Sequence, residues 1–514
     1  MPGLPNRQGS DLVHQKNRNQ QPGVTRFPTP PPKPSTSAAM HSVNYVPEQI
    51  DPMASLSVKT DLQSPLRLLL QNIGVLFTTF RYLPDAILPL KPQGPGNELY
   101  PDLAEIRYGI LQGWLFLFES VVFLSAIPIT LVLPGAISTA ILSICCLIIY
   151  LSSKPMEGPL VLYSNLCAEM LALAEQHKDE RWLFVNGIMV GRSGLQSNID
   201  RIAETFGRAV IGIHNQTYGF LGDLLECLIQ RVYSYRTRDV RTAHEYVKAT
   251  LVDSTVKKVV LIAHSQGGII VSLVVDQLLT ELPAECMSKL EVYTFGSAAS
   301  HFSNPLAALP FRKQPNVLPT SPTDIHLSEF ADPKHVIPFI EHYANQKDPV
   351  PRWGVLHFTQ DVLNGRYAGS VFVRMGASGH LFNQHYMDPM FPLPEKESHW
   401  LQDSFLDNGV QVDRDLATKK ESTVVSNTAF MRKQSGLEFG DGQVLHGVHV
   451  PGGSSAGPIT NGDPVMTFDR TDSGRLLAEE AKGKSVRELS RLWRYQGGRS
   501  PHTEFSFTSG GSPH

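Results

Sequence analysis

The chain has 514 residues, a formal net charge of −3 and five cysteines. A charge this close to neutral, with no basic block interleaved with aromatics in the folded part, gives no footing for nucleic-acid binding. Cys145, Cys146, Cys167, Cys227 and Cys286 form no C-x-x-C pair, which excludes a zinc pattern or a disulfide framework.

Residues 1–60 are polar and proline-marked, densest at Pro28-Thr29-Pro30-Pro31-Pro32-Lys33-Pro34, and read as disordered because such a stretch buries too little apolar surface to fold. Its first residues lack a positive start followed by an apolar core, so no secretory signal is read there. Within residues 61–109, Leu66–Tyr82 is apolar but interrupted by Arg67, Gln71 and Asn72. It is too short and polar to span a bilayer, and is expected to lie in the interface or to pack under the folded domain.

Residues 110–152 form the membrane segment. Ile110–Leu151 is almost continuously apolar, with Glu119 its only charged residue and Pro134-Gly135 near its middle. At about 1.5 Å per helical residue its two arms reach roughly 36 and 25 Å, against a hydrocarbon core of about 30 Å. They therefore make a two-span hairpin or a re-entrant wedge, and a single span near Ser125–Ile144 is the competing reading. Arg67, Arg81, Lys91 and Arg107 precede the segment and Lys154 follows it, which favours cytosolic placement of both flanks. No organelle is indicated.

Residues 160–405 alternate between strand and helix patterns. Trp182–Gly187 reads as a strand ending in a glycine turn, followed by a helix over Leu195–Phe206 and a strand over Ala209–His214. Helices over Phe220–Tyr233 and Val240–Leu251 precede a buried strand at Val256–Ala263. Beyond it come a helix over Gly267–Leu282 and strands at Leu290–Phe295, Val336–Ile340 and Gly369–Arg374. Such alternation implies an α/β fold: a mostly parallel sheet with helices on both faces and ligands at the strands' carboxyl ends. An N-x-T sequon at Asn215-Gln216-Thr217 would matter only in a lumenal domain. Residues 413–514 turn polar and Gly/Ser-rich and read as a mostly disordered tail. Val486, Leu489, Leu492 and Trp493 share one face of a short helical pattern there, opposite Arg487, Arg491 and Arg494. That face suits an anionic membrane surface or a transient solvated helix.

The sharpest local signal is Val259-Val260-Leu261-Ile262-Ala263-His264-Ser265-Gln266-Gly267-Gly268-Ile269. A serine between a buried strand and a helix, flanked two residues away by Ala263 and Gly267, has the form of a nucleophile elbow, whose tight turn needs small residues at those positions. The helix's free N–H groups and positive end would stabilise charge developing on a substrate oxygen, and the Gln266 N–H is the first candidate donor. His264 reads as a packing residue.

With this elbow, the strand order resembles the α/β-hydrolase superfamily, particularly its lipase-like and serine-esterase branches and their uncharacterised fungal membrane-anchored members. The resemblance covers about residues 160–400. It implies a nucleophile, acid and base in the order serine, aspartate, histidine. On that order Asp348, in Asn345-Gln346-Lys347-Asp348-Pro349-Val350, is the acid, while Asp324, Asp332 and Asp361 are less well placed. His380, after Gly379, is the expected base, with His385 the alternative. The second oxyanion donor falls at Ile188 N–H, with Met189 possible, where Asn186-Gly187 stands for the family's common His-Gly. The implied activity is a membrane-anchored serine hydrolase acting on an ester of a lipid or other apolar acyl compound, with no metal or organic cofactor. A thioesterase or amidase would use the same triad, and a catalytically silent membrane scaffold is the alternative of another class. Protein partners are not indicated.

Overall fold

The computed structural model describes residues 42–48, 65–90, 98, 100, 103–156, 158–307, 335–359, 367–393, 405–412 and 480–501. Strand β1 (Val43–Val46) comes first, then helices α1 (Pro65–Thr79), α2 (Pro84–Ile87), α3 (Leu103–Val132) and α4 (Gly135–Ser153). The central part runs β2 (Val161–Tyr163), α5 (Ala168–Gln176), β3 (Glu180–Val185), α6 (Arg192–Phe206), β4 (Val210–Ile213), α7 (Phe220–Tyr233), α8 (Arg238–Val252), β5 (Lys258–His264) and α9 (Gln266–Glu281). Then follow α10 (Ala284–Met287), β6 (Leu290–Phe295), β7 (Phe339–Asn345), α11 (Pro349–Trp353), α12 (Val355–Phe358), β8 (Ser370–Arg374), a π-helical turn Phe382–Met387, α13 (Asp388–Met390) and β9 (Val410–Val412).

These strands form one nine-stranded sheet in the order β2-β4-β3-β5-β6-β7-β8-β1-β9. β4, β3, β5, β6, β7 and β8 are mutually parallel, while β2 and β1 join antiparallel to β4 and β8. This is the α/β architecture expected from the alternating pattern. All seven residues of β5 are buried, as a central parallel strand covered on both faces requires. Side chains alternate between two cores: Leu183, Leu261 and Val292 face helices α8 and α9, whereas Trp182, Ile262 and Tyr293 face α6 and the π-helical turn.

The second core is aromatic. Phe295, Tyr343, Phe372 and Tyr45 are cross-strand neighbours on β6, β7, β8 and β1, with successive ring centroids 4.9, 5.3 and 5.0 Å apart. This row explains the first departure from expectation. Val43–Val46 lies in the stretch read as unstructured, yet Tyr45 extends the row by one strand. The rest of residues 1–60 lies outside the described residues. A smaller departure concerns the strand expected at 336–340. Pairing starts only at Phe339, because Asn304 Oδ1 accepts the Ile337 N–H at 2.9 Å and its Nδ2 donates to the Ile337 carbonyl.

The second large departure is at the C-terminal end. The sequence pattern places residues 480–501 in the tail, with Val486, Leu489, Leu492 and Trp493 on one face of a membrane-facing or solvated helix. Instead Val486, Leu492 and Tyr495 are fully buried in the aromatic core, and Arg487 and Arg499 pack over the Trp493 ring. The physical reason is a pair of acids inside the sheet. Glu291 on β6 accepts from Tyr495 Oη at 2.8 Å and from Arg491 Nη2 at 3.3 Å, and Glu341 on β7 accepts the backbone N–H groups of Arg491 and Leu492. Buried carboxyl groups need such partners. The domain thus extends past 405 to include β9 and this strap, while residues 413–479 and 502–514 lie outside the described residues.

α3 and α4 are long and apolar enough to cross a membrane by length and composition. Pro134, with ψ of 141°, ends the helical run, and the two helices pack on each other as a hairpin. No continuous helix covers Ser125–Ile144, since α3 ends at Val132 and α4 starts at Gly135. α3 starts at Leu103, ahead of the apolar run, because one face docks on the sheet domain. Ser193 Oγ donates to Glu105, Gln112 Nε2 to Thr217 Oγ1 at 3.3 Å, and the Phe116 and Phe220 rings meet at 5.9 Å. Glu119, the charge inside the apolar run, accepts the Leu221 and Gly222 N–H groups at 3.0 and 3.3 Å. It caps the first turn of α7, where a helix offers unpaired donors and its positive end.

Candidate active site

β5 ends at His264, and Ser265 turns the chain into α9 with φ of 58° and ψ of −122°. A non-glycine residue there stores on the order of 1–3 kcal/mol of strain, kept in place by surrounding bonds. The Ser265 N–H donates to Phe295 O at 3.1 Å, and the Ser265 carbonyl accepts from Gly268 and Ala298 N–H at 3.0 and 3.1 Å. Glycines make the close approach possible. A Cβ at Gly267 would run into the Val185 carbonyl oxygen, and one at Gly187 would sit 2.5 Å from Ser265 Cβ and 3.0 Å from its Oγ.

Asp348 and His380 are brought together. Asp348, fully buried after β7, caps α11 through Oδ1, which accepts Val350 N–H at 2.9 Å. Its Oδ2 accepts from His380 Nδ1 at 2.7 Å and from Tyr386 Oη at 2.6 Å. Burial, followed by the Asp348 charge, pushes the Tyr386 hydroxyl well above its ordinary pKa, so it stays a donor. With Nδ1 given to Asp348, His380 Nε2 is left buried with no protein partner.

The two histidines read as rivals occupy different environments. His385 Nδ1 accepts the Leu381 N–H at 3.0 Å and its Nε2 donates to Pro89 O at 2.9 Å, so both nitrogens are bonded to backbone. The loop bearing His380 is held from a distant part of the chain: Gly379 and His380 N–H groups donate to Asp85 O and Ala86 O at 2.6 and 2.7 Å. These carbonyls belong to the last turn of α2, which has acceptors without intrahelical donors. Gly379 has φ of 96°, and a Cβ there would overlap the His385 ring. His264 does more than pack. Its Nε2 donates to the His380 carbonyl at 2.8 Å, with ring centroids 4.6 Å apart, and burial holds its pKa well below the usual imidazole range. The alternative acids Asp324, Asp332 and Asp361 lie outside the described residues.

Gln266 is the first residue of α9, with its N–H beside Ser265. Its side chain is fixed in a buried polar cluster: Oε1 accepts from Asn215 Nδ2 at 2.6 Å, and Nε2 donates to Gln230 and Glu226. Asn215 N–H in turn donates to Asn186 Oδ1, so Asn186 ties the β3 and β4 loops together. Asn215 and Thr217 are both buried, which removes the sequon from any surface. In the turn after β3, Met189 N–H donates to Asp223 Oδ2 at 3.1 Å. This bond commits the N–H of Met189, one of the two oxyanion candidates in this turn, to Asp223. Burial raises the Asp223 carboxyl to about 7 and that of Glu226 to about 7.

A cavity of about 630 Å³ adjoins these loops, between α3 and the sheet domain. It is lined by Met189, next to Ile188, by Leu381, next to His380, and by Tyr108, Gln112 and Phe116 of α3. A second cavity of about 240 Å³ at His177, Glu180 and Arg208 lies by the start of β3, away from the carboxyl ends of the strands. Among the described residues no group of three or more His, Cys, Asp or Glu is placed to hold a metal ion.

No family model matches this chain, and no curated protein sequence matches it. Among solved structures it is similar to Trichoderma reesei cutinase in complex with a C11Y4 phosphonate inhibitor, at 18% identity over 36% of this chain and 75% of that one, with a TM-score of 0.18. It is also similar to a Staphylococcus aureus protein described as an inferred esterase, at 12% identity over 49% of this chain and 88% of that one, with a TM-score of 0.24.

Proposed function

We propose that the chain is an α/β-hydrolase acting as a membrane-associated serine esterase on lipid or other apolar acyl esters. The observation that carries this reading is the 2.7 Å pairing of His380 Nδ1 with buried Asp348, which leaves Nε2 without a protein partner in the loops around the strained Ser265. In the reaction Ser265 Oγ attacks the ester carbonyl carbon while His380 Nε2 takes its proton. The oxyanion is met by Gln266 N–H and Ile188 N–H, each donor contributing on the order of 10²–10³ in rate. The proton then passes to the leaving alcohol, and water, deprotonated by the same nitrogen, releases the acid and restores Ser265.

Membrane association rests on the hairpin. Beyond Glu119, which is bonded to α7, only Ser120–Leu133 projects, about 20 Å of helix, against a hydrocarbon core of about 30 Å. This favours a wedge entering and leaving by one leaflet. The test is labelling by an active-site fluorophosphonate in membranes. Labelling abolished by Ser265→Ala supports the esterase, whereas a folded wild type that neither labels nor hydrolyses a p-nitrophenyl ester points to a silent scaffold.

A further inference from the structure

We infer that the cavity between α3 and the sheet domain takes a single hydrocarbon chain of a bilayer lipid ester, its acyl chain, admitted sideways past Gly109 and Gly113. The inference rests on the esterase reading above and names what that site accepts.

Position comes first. The cavity wall includes Met189 and Leu381, chain neighbours of the proposed oxyanion donor Ile188 and of His380, so the cavity shares its wall with the two loops that bear those groups. Size fits as well. At roughly 30 Å³ for a water-sized unit, 630 Å³ accommodates about twenty such units, enough for a long chain and within the range of small-ligand sites.

Its chemistry is that of a chain rather than a charged group. The polar groups in the wall are mostly spent on the protein: Glu105 on Ser193, Glu98 on Asn383 N–H, and the Tyr108 hydroxyl on Gln112 Nε2. Gln112 is 4% exposed, lines the cavity, and its Oε1 is buried with no donor, a place for a lipid hydroxyl or a water.

Entry follows from α3. Gly109 and Gly113, four residues apart and so on one helix face, both line the cavity and both are exposed, and a Cβ added to either meets nothing within 4 Å. The opening they leave is flanked by Ile106, Ile110 and Leu117, large apolar side chains exposed on the same helix. That exposed apolar face continues through Val121 and Leu124 into the projecting part of α3, so it offers hydrocarbon an apolar path from the hairpin to the opening.

The test uses the full chain in phosphatidylcholine vesicles. A diazirine-bearing palmitate should crosslink to peptides from both walls, α3 and residues 188–194, and Gly109→Leu with Gly113→Leu should abolish that capture. In parallel, the ratio of kcat/KM for p-nitrophenyl palmitate over the butyrate ester should fall at least about ten-fold in the double variant. Crosslinks confined to the exposed face of α4, or a ratio unchanged in a variant that melts like wild type, overturn the inference. A wild type that captures the probe on both walls yet resists fluorophosphonate keeps the chain site and removes the esterase reading instead.

Discussion

Gly187→Ala isolates the steric fit around the serine. Gly187 does not have a positive φ, so the added methyl strains no backbone and acts by contact alone. It would stand 2.5 Å from Ser265 Cβ and 3.0 Å from Oγ, whereas carbon atoms rest about 3.5–4.0 Å apart. Relief requires a shift of about 1 Å between the β3 turn and the elbow. Overpacking of this kind costs about 1–3 kcal/mol of stability, while a 1 Å misplacement of a reacting group costs about 10² in rate. The expected result is a fluorophosphonate labelling rate about a hundred-fold below wild type, with a folded protein of lower melting temperature. Gly74→Ala in α1, where a Cβ meets nothing within 4 Å, is the control, gaining up to about 1 kcal/mol of helix propensity with labelling intact. Labelling of Gly187→Ala within two-fold of wild type would falsify the claim that Ser265 is the positioned nucleophile.

Three further outcomes are expected. His380→Gln should lower kcat by on the order of 10⁴ or more, while His385→Gln, whose two ring nitrogens bond backbone groups, should keep kcat within about a hundred-fold of wild type; the reverse ranking in a p-nitrophenyl ester assay would exchange their roles. Asp223, held at about 7 in the folded protein against 3.8 for the free side chain, keeps a proton between about pH 4 and 7 that the unfolded chain has released, so its contribution falls as pH rises through that window. Asp223→Asn should accordingly shrink the stability difference between pH 5 and pH 7 by about 2 kcal/mol, and denaturant curves with an unchanged difference would refute the raised carboxyl. Arg491→Ala leaves Glu291 without its cation and should cost about 3–5 kcal/mol in urea unfolding; a loss below about 1 kcal/mol would mean that the strap's arginine does not stabilise the sheet.

What could be read from the sequence was local in the chain. The elbow is legible because strand, serine and helix are contiguous, and the α/β alternation because each element announces its own period. The different environments of His380 and His385 were not, since they are set by the carbonyls of Asp85, Ala86 and Pro89, almost three hundred residues earlier. β1 escaped because four residues carry too little pattern, and its place is set by Tyr45 meeting Phe372. The strap is different, for a signal did exist. Leu290–Phe295 reads as a strand yet holds Glu291, and β7 holds Glu341, two acids that an interior sheet cannot leave unpartnered. Arg491 and Tyr495 in a supposed tail were the groups able to meet them. Glu119 posed the same question inside the apolar run, and its answer was the first turn of α7.

Glu119 also changes how the membrane segment bears on the chemistry. It bonds the first turn of α7. The same turn carries Asp223, which accepts Met189 N–H on one oxygen and Tyr218 N–H on the other, and Met189 follows the proposed oxyanion donor. α3, α7 and the turn after β3 are therefore joined by consecutive hydrogen bonds over a few residues. α3 closes this frame at its other end, with Tyr108 against Gly191, where even a Cβ would come within 2.6 Å of the ring. A segment that served only to tether would need none of these contacts. Because α3 both walls the cavity and braces the turn after β3, the hairpin is part of the frame that carries the proposed site, and on the proposed reading a change in how it meets a bilayer would be felt at Ser265.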